Sequence, residues 1–431
     1  MSDEPCVEET AEALLEGDTR FAPGTARSAL SHREFRTLFV GAWLSNIGTW
    51  MQQVVLAAFA YDLTGSSTFV GQLVFAQLGP VLVLGLIGGV VADVVDRKKL
   101  LLVVTFAQIA FAIALAAVVA SDAPSRGLMF ATALGSGIGA AMFMPAYSAM
   151  LPGLVGKADL PGAISLNSTQ MNASRVVGPA IGGIAFATVG PAWVFLANAV
   201  SYLFVIAALL RVHLPTVPAG EPEPIGRKLT GGIRAARRDS VVGRALVTIT
   251  VFSFFSIVYV GMMPVLAAEN LGIDEESIAY GIFYACFGLG AVVGSIANST
   301  VLHGVSRSIL VRRGLVAYAV VVSVLALLHS APPAYPVVLL VGATYFGMVT
   351  ALNTAMQSRL VDHERGRVMA LWMMGFGGTV SLANLFFGPI VDEIGMTPVM
   401  LAGAAVAIVL SRYADVEPAD EALAPAPALA D

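Results

Sequence analysis

Long apolar runs dominate the chain, and each is close to the length that crosses a bilayer as an α-helix. Short polar connections separate the runs, and a longer polar segment divides them into two sets of six. The pattern therefore predicts twelve membrane helices. Their predicted bounds are 37–61, 68–92, 99–120, 127–150, 163–188 and 192–210, then 245–267, 278–299, 309–329, 334–356, 368–390 and 396–411.

Composition agrees with this pattern. Hydrophobic residues make up 57% of the 431 residues and charged residues only 12%, whereas a soluble domain averages about 25% charged residues. The predicted class is an all-α polytopic membrane protein built from two six-helix pseudo-repeat bundles. The predicted parts are a cytoplasmic N-terminal tail (1–35), a first bundle (36–211), a cytoplasmic linker (212–243), a second bundle (244–412) and a disordered tail (413–431).

The positions of Lys and Arg test the helix count. Of the 24 basic residues, only Arg126 falls on the opposite side of a twelve-helix arrangement, and only Arg175 falls within a span. A wrong count would scramble this separation, so the positive-inside pattern supports twelve spans with both termini in the cytoplasm. We therefore expect a multi-pass protein of the cytoplasmic (inner) membrane.

Several functional classes find no support in the sequence. Cys6 and Cys286 are too few for a disulfide framework or a metal site, and residues 1–27 do not resemble a cleavable signal peptide. No phosphate-binding glycine-rich loop and no set of catalytic or metal-ligating histidines is found, and the basic residues are spread over many loops. We expect neither an enzyme nor a nucleic-acid-binding protein, and no cofactor.

Arg175 is the charged residue inside the fifth predicted span. An arginine at the bilayer centre costs about 2.5–3.5 kcal/mol on insertion scales and therefore faces a polar interior. Two interpretations stay open, a structural arginine bonded to neighbouring helices or a charge that lines a central substrate cavity. The matching position in the eleventh span is Leu385, and this asymmetry favours a role in substrate binding or gating.

Other polar residues inside the spans are candidates for the same cavity. Each of them is either a contact between helices or a ligand-binding group, and the first span carries the strongest set, on and beside one stripe. The candidates that accompany Arg175 are Asn46, Thr49, Trp50, Gln52, Gln53 and Asn172.

Two further features indicate gating. Small residues recur every four positions in the fifth span, where they allow close helix packing, and a proline without an N–H group predicts a bend. The loop after the second span places a carboxylate beside basic side chains, which either set topology only or form bonds that break during transport. The candidate gating residues are Ser174, Gly178, Pro179, Gly182, Gly183, Gly388 and Pro389, with Gly89, Asp93, Arg97 and Lys98 in the loop.

Proton coupling has no central candidate, because no Asp or Glu lies in the middle of any predicted span. Asp62 and Glu269, near the predicted outer ends, are the weak candidates.

The loop residues Gly89, Ala92, Asp93, Arg97 and Lys98 resemble a signature of the major facilitator superfamily. The stretches 61–89, 144–183 and 365–395 resemble the branch of drug and macrolide efflux proteins and enterobactin exporters. The resemblance implies a monomeric alternating-access transporter that exports amphipathic small molecules, such as drugs, antibiotics or siderophores, by proton antiport. An importer or uniporter of the same fold, or a membrane receptor that transports nothing, stays open as an alternative.

Overall fold

The structure is a computed structural model that describes residues 21–212, 225–302 and 304–416. Side chains at 85–94, 225–229, 299 and 362–363 are outside this description, as are Cys6 and both predicted tails apart from 21–35 and 413–416. Within the described ranges the regular secondary structure is entirely helical.

Sixteen α-helices follow one another along the described chain. The first half contains α1 (Ala26–Ser31), α2 (Arg33–Thr64), α3 (Ser67–Val94), α4 (Arg97–Val119), α5 (Arg126–Val189) and α6 (Pro191–Arg211). The second half contains α7 (Ile225–Arg238), α8 (Ser240–Phe255), α9 (Val258–Gly261), α10 (Met263–Val265), α11 (Ile278–Ser299), α12 (Arg307–Leu327), α13 (Ala331–Gln357), α14 (Asp362–Met373), α15 (Thr379–Ile394) and α16 (Met396–Tyr413).

Nine helical segments of the described chain are long and apolar enough to cross a membrane. One of them, α5, has 64 residues, which is enough for two crossings. The all-α polytopic class is thereby confirmed, and the predicted twelve spans are compatible with these helices.

The break in α5 lies inside the predicted connection between the fourth and fifth spans, but it is confined to one residue. The fourth and fifth predicted spans stop at 150 and restart at 163, but the helix continues through this connection up to Gly156 and resumes beyond it. Gly156 has φ 70° and ψ 173°, a conformation that is open to glycine and costly for other residues. Pro179, where a bend is predicted, lies inside the helix with helical torsions.

Two predicted spans of the second half are irregular helices. The seventh is divided into α8, α9, α10 and a π-helix at Leu266–Asn270. The eleventh contains a π-helix at Met374–Gly378 between α14 and α15. Short π-helical insertions occur often at functional sites, and a search for a 3.6-residue period does not find them.

The last part of the predicted linker forms α7. Arg238 Nη2 donates to Glu364 Oε2 of α14 at 2.9 Å, and Arg359 Nε donates to Asp239 Oδ2 at 3.3 Å. Exposed ion pairs contribute little energy each. The first pair therefore holds the end of α7 beside α14, and the second joins the residue after α7 to the segment before α14. Both position these segments more than they stabilise the fold.

The described residues pack as two compact units. The first lies within Met1–Phe59, Gly79–Glu223 and Glu276–Ile282, and the second within Ala60–Leu78, Pro224–Glu275 and Phe283–Asp431. Aliphatic and aromatic side chains of α2, α5 and α6 form the core of the first unit. Aromatic rings form much of the second core, and the Phe252 and Tyr318 rings meet edge to face at 4.9 Å.

Glycines bring α11 and α13 into backbone contact in the second unit. A Cβ atom on Gly290 would overlap the carbonyl oxygen of Leu339, and one on Gly342 would overlap that of Phe287. Membrane helices associate through such close packing, because lipid is as apolar as their side chains.

We predict that Gly290→Ala lowers the free energy of unfolding by about 1–3 kcal/mol, because the added methyl group has no space. Gly366→Ala is the matched control, since a Cβ atom there meets nothing within 4 Å and Ala is the better helix former. Thermal unfolding of the purified variants in detergent measures both effects. Equal stability of the two variants would contradict the prediction.

Candidate functional site

The second part of α5 lies directly against α2 in the first unit. A Cβ atom on Gly178 would be 2.5 Å from Trp50 Cβ, and one on Gly182 would be 3.1 Å from Met51 Cα. Ser174 on the same face of α5 is fully buried. Gly183 faces Gly281 of α11, a residue that also belongs to the first unit.

This packing places Arg175 over the ring of Trp50. The guanidinium carbon is 5.0 Å from the ring centroid, and both side chains are half-buried. A cation-π contact of this kind contributes about 0.5–2 kcal/mol, with the larger value where water is excluded. Two candidates from separate predicted spans therefore meet.

Asn46 and Gln53 lie on the Trp50 side of α2, because positions four before and three after a residue share its helix face. Both side chains are half-buried, and neither makes a hydrogen bond to another described residue. Their amide groups can therefore bind a solute or water. This face, formed by Arg175, Trp50, Asn46 and Gln53, is called the Arg175 face below.

Thr49 and Gln52 face α6 instead. Thr49 Oγ1 lies 3.2 Å from Tyr202 Oη, and Asn198 Nδ2 donates to Gln52 Oε1 at 2.8 Å. Asn198 is fully buried and was missed by the sequence analysis, although an asparagine inside an apolar span was the available signal. These contacts join two helices.

Asn172 bonds within its own helix. Its Nδ2 atom donates to the Ser168 carbonyl oxygen at 3.0 Å, and the residue is half-buried. It lies one turn before Arg175 in α5.

Arg97 and Lys98 anchor the start of α4 to main-chain carbonyl oxygens in the first unit. Arg97 Nη1 donates to Ala149 at 2.9 Å, and Lys98 Nζ donates to Val212 at 2.7 Å. The other two loop candidates, Gly89 and Asp93, lie where side chains are outside the described part of the chain.

The second Gly-Pro pair packs against the start of α3 in the second unit. A Cβ atom on Gly388 would be 2.9 Å from Thr68 Cα, and Pro389 follows it inside α15. One turn later, Asp392 accepts hydrogen bonds from the Ser67 and Thr68 amides at 2.6 and 3.0 Å, and from the hydroxyls of Ser66 and Thr68. The carboxylate therefore caps α3, a role that the sequence analysis missed.

The two weak proton candidates lie in the second unit near other acidic groups. Glu269 Oε1 accepts a hydrogen bond from the Tyr61 hydroxyl at 2.8 Å, whereas Asp62 is exposed. Burial raises the pKa of Glu275, and the charges of Asp62 and Asp274 raise it further. Glu275 binds a proton more readily than an ordinary glutamate, and the sequence analysis did not single it out.

The family model for transmembrane secretion effectors matches residues 24–422. The match covers both predicted bundles and the segment between them. The chain belongs to the transmembrane secretion effector family of the major facilitator superfamily.

Relatives of this chain include exporters. It is 26% identical over 348 residues to the enterobactin exporter EntS of Escherichia coli O1:K1, covering 79% of this chain and 81% of the relative. Over the same length and coverage it is 25% identical to the enterobactin exporter EntS of Shigella boydii serotype 4.

Solved transporters share its fold. The nucleoside transporter NupG aligns with a TM-score of 0.67 and 14% identity, covering 89% of this chain and 99% of NupG. An auto-inhibited peptide transporter of the POT family aligns with a TM-score of 0.71 and 13% identity, covering 91% and 99%. The major facilitator fold and the resemblance to the enterobactin exporter branch are confirmed, and the chain is a membrane transporter.

We predict that Gln52→Leu lowers the free energy of unfolding by about 0.6–1.7 kcal/mol, because Asn198 loses its acceptor in an apolar environment. Gln53→Leu is the matched control on the neighbouring position, and its effect should stay within about 0.5 kcal/mol. Thermal unfolding in detergent compares them. A larger loss for Gln53→Leu would contradict the assignment of Gln52 to helix packing.

Proposed function

We propose that the transporter exports an amphipathic small molecule with an anionic group, which binds at the Arg175 face. The observation that carries this proposal is the Arg175 guanidinium stacked on the Trp50 ring at 5.0 Å between two helices of the membrane region. The partners are the substrate, protons and the lipid bilayer, and we expect a monomer.

The chemistry of the Arg175 face fits such a substrate. A guanidinium binds carboxylate, sulfonate or phosphate oxygens with paired N–H groups, and these bonds are strong where water is excluded. The Trp50 ring offers apolar area beside the charge, and the Asn46 and Gln53 amides can donate to or accept from polar substituents. A purely apolar solute would leave the Asn46 and Gln53 amides without partners.

Export is the direction that the relatives support, and proton antiport is the coupling that we propose for it. Two of them are enterobactin exporters, and the family model describes secretion effectors. We propose the inner membrane as the location, with both termini in the cytoplasm, because nearly all basic residues fall on one predicted side. Import or uniport by the same fold is the alternative.

Conformational change is proposed to involve the two Gly-Pro segments and the loop before α4. Gly178-Pro179 and Gly388-Pro389 lie where helix backbones touch, so small shifts there change which surfaces pack. Arg97 and Lys98 donate to main-chain oxygens, and such bonds can exchange for others during rocking.

We predict that Arg175→Ala lowers the transport efficiency for fluorescein, an anionic aromatic dye, about ten-fold or more, because a charge-assisted bond is lost. Efflux of ethidium, a cationic aromatic dye, should fall much less. A catecholate siderophore serves as a third probe because of the exporter relatives. Uptake into everted vesicles that contain the full-length protein measures all three, and right-side-out vesicles test import.

The controls separate binding from folding. Trp50→Leu should weaken fluorescein transport several-fold, whereas Trp43→Leu, at an exposed tryptophan of the same helix, should not. Fluorescein transport at the wild-type rate by Arg175→Ala would sink the proposed site. Equal losses for both dyes would make Arg175 structural, and accumulation in right-side-out vesicles would favour the importer.

We predict that Glu275→Gln flattens the response of transport to external pH. Because burial and neighbouring charges raise the pKa of Glu275, the energetic cost of its ionised form is present above that pKa and disappears as pH falls through it. The pH-dependent change in wild-type transport should be centred above about pH 4.3, the ordinary pKa of a glutamate side chain. Proteoliposomes with an imposed pH gradient measure it, with Glu393→Gln as the control, and an unchanged profile would contradict the prediction.

A further inference from the structure

A groove within the second unit lies among α11, α12 and α13. Its volume is about 460 Å³, within the range of sites that bind small molecules. Small residues of all three helices line the groove, and Gly294 also lies where α11 and α13 pack, since a Cβ atom there would overlap the Ala343 carbonyl oxygen. Those that line the groove are Gly294, Ala297, Gly314, Ala317, Ala343 and Gly347.

The rim of the groove is apolar and exposed. Val293 is 48% exposed, Ile309 42% and Leu302 37%, and all three line the opening. In a membrane transporter, exposed side chains of this kind face lipid acyl chains. The groove therefore opens towards the hydrocarbon of the bilayer.

All but one of the hydrogen-bonding side chains in the groove have partners in the protein. Asn298 Nδ2 donates to the Gly347 carbonyl oxygen at 3.0 Å, and its Oδ1 accepts from Arg307 at 3.2 Å. Thr344 Oγ1 donates to the Leu340 carbonyl oxygen at 2.9 Å. Arg313 is exposed and has no hydrogen bond or ion pair to any residue in the described ranges.

Arg312, the residue before Arg313, bonds to the protein and does not line the groove. Arg312 Nε donates to the Ser411 carbonyl oxygen of α16 at 3.1 Å. Arg313 instead lines the groove, less than two turns after the start of α12, which lies at the predicted cytoplasmic end. A long arginine side chain can reach the membrane interface from such a depth.

We propose that the groove binds one anionic phospholipid, with an acyl chain among the small residues and the phosphate on Arg313. One cation beside an apolar wall complements a molecule with one anionic group and a long chain. A guanidinium pairs with phosphate through parallel N–H groups, and anionic lipids of the cytoplasmic leaflet are attracted to basic residues. A zwitterionic lipid brings its own cation beside Arg313 along with its phosphate, and free phosphate leaves the wall uncovered. The site is separate from the Arg175 face, which belongs to the first unit.

Native mass spectrometry of the delipidated full-length protein tests this site. The protein is titrated with phosphatidylglycerol or with phosphatidylcholine of the same acyl chains. Wild-type protein should bind phosphatidylglycerol about five-fold more tightly, because one basic residue near an anionic headgroup contributes a factor of this size. Arg313→Gln should remove the preference, and Arg313→Lys should keep most of it. Ala317→Trp should weaken the binding of both lipids by filling the groove.

Matched variants decide whether the groove is responsible. Arg412→Gln removes another exposed arginine, and Val316→Trp adds the same bulk at an exposed residue that does not line the groove, so neither should change binding. Equal affinity of wild-type protein for the two lipids overturns the proposal, as do equal effects of Ala317→Trp and Val316→Trp. Glycerol 3-phosphate should not displace the lipid at the same concentration. Displacement would mean that the headgroup binds without the groove, which also overturns it.

Discussion

The contact between α5 and α2 at Gly178 is the packing constraint on which the Arg175 face depends. With Trp50 Cβ only 2.5 Å from where a Cβ on Gly178 would lie, any larger residue pushes the helices apart. Arg175 is three residues earlier on α5, so the same separation sets the 5.0 Å between its guanidinium and the Trp50 ring. In lipid this approach is stabilised by van der Waals packing, because there is no hydrophobic driving force between helices.

The energy of the arginine explains why its surroundings matter. Its burial costs about 2.5–3.5 kcal/mol on insertion scales, and a cation-π contact with Trp50 offsets about 0.5–2 kcal/mol. In the proposed site, an anionic substrate group would pair with this guanidinium, a charge that the protein already holds in place. On α2, one residue packs against a neighbouring helix and the next belongs to the Arg175 face: Gln52 accepts a hydrogen bond from Asn198, and Gln53 does not.

The sequence predicts the helical class and the membrane spans well, because bilayer thickness fixes the length of an apolar run. It also identifies Arg175 and Trp50 separately, but their meeting depends on which helices touch, and spacing along one helix does not contain that information. The missing N–H group of Pro179 predicts a bend at that residue, but the residue of α5 with non-helical torsions is Gly156. Helix α7 was missed because Pro, Gly and charge dominate the linker, although Leu229 and Ile233 have helical spacing.

The two Gly-Pro pairs both lie at close contacts between helices, but the polar contacts beside them differ. Gly178 brings α5 onto α2, and the side chain one turn before it is a cation that stacks on an aromatic ring. Gly388 brings α15 onto the start of α3, and the side chain one turn after it, Asp392, accepts two backbone amides there. In both places the glycine allows the two backbones to approach closely, and the polar residue one turn away makes the contact with the other helix. Leu385, at the position that matches Arg175, has no charge, so the second pair can pack and cap a helix but has no cation to place on a neighbouring ring.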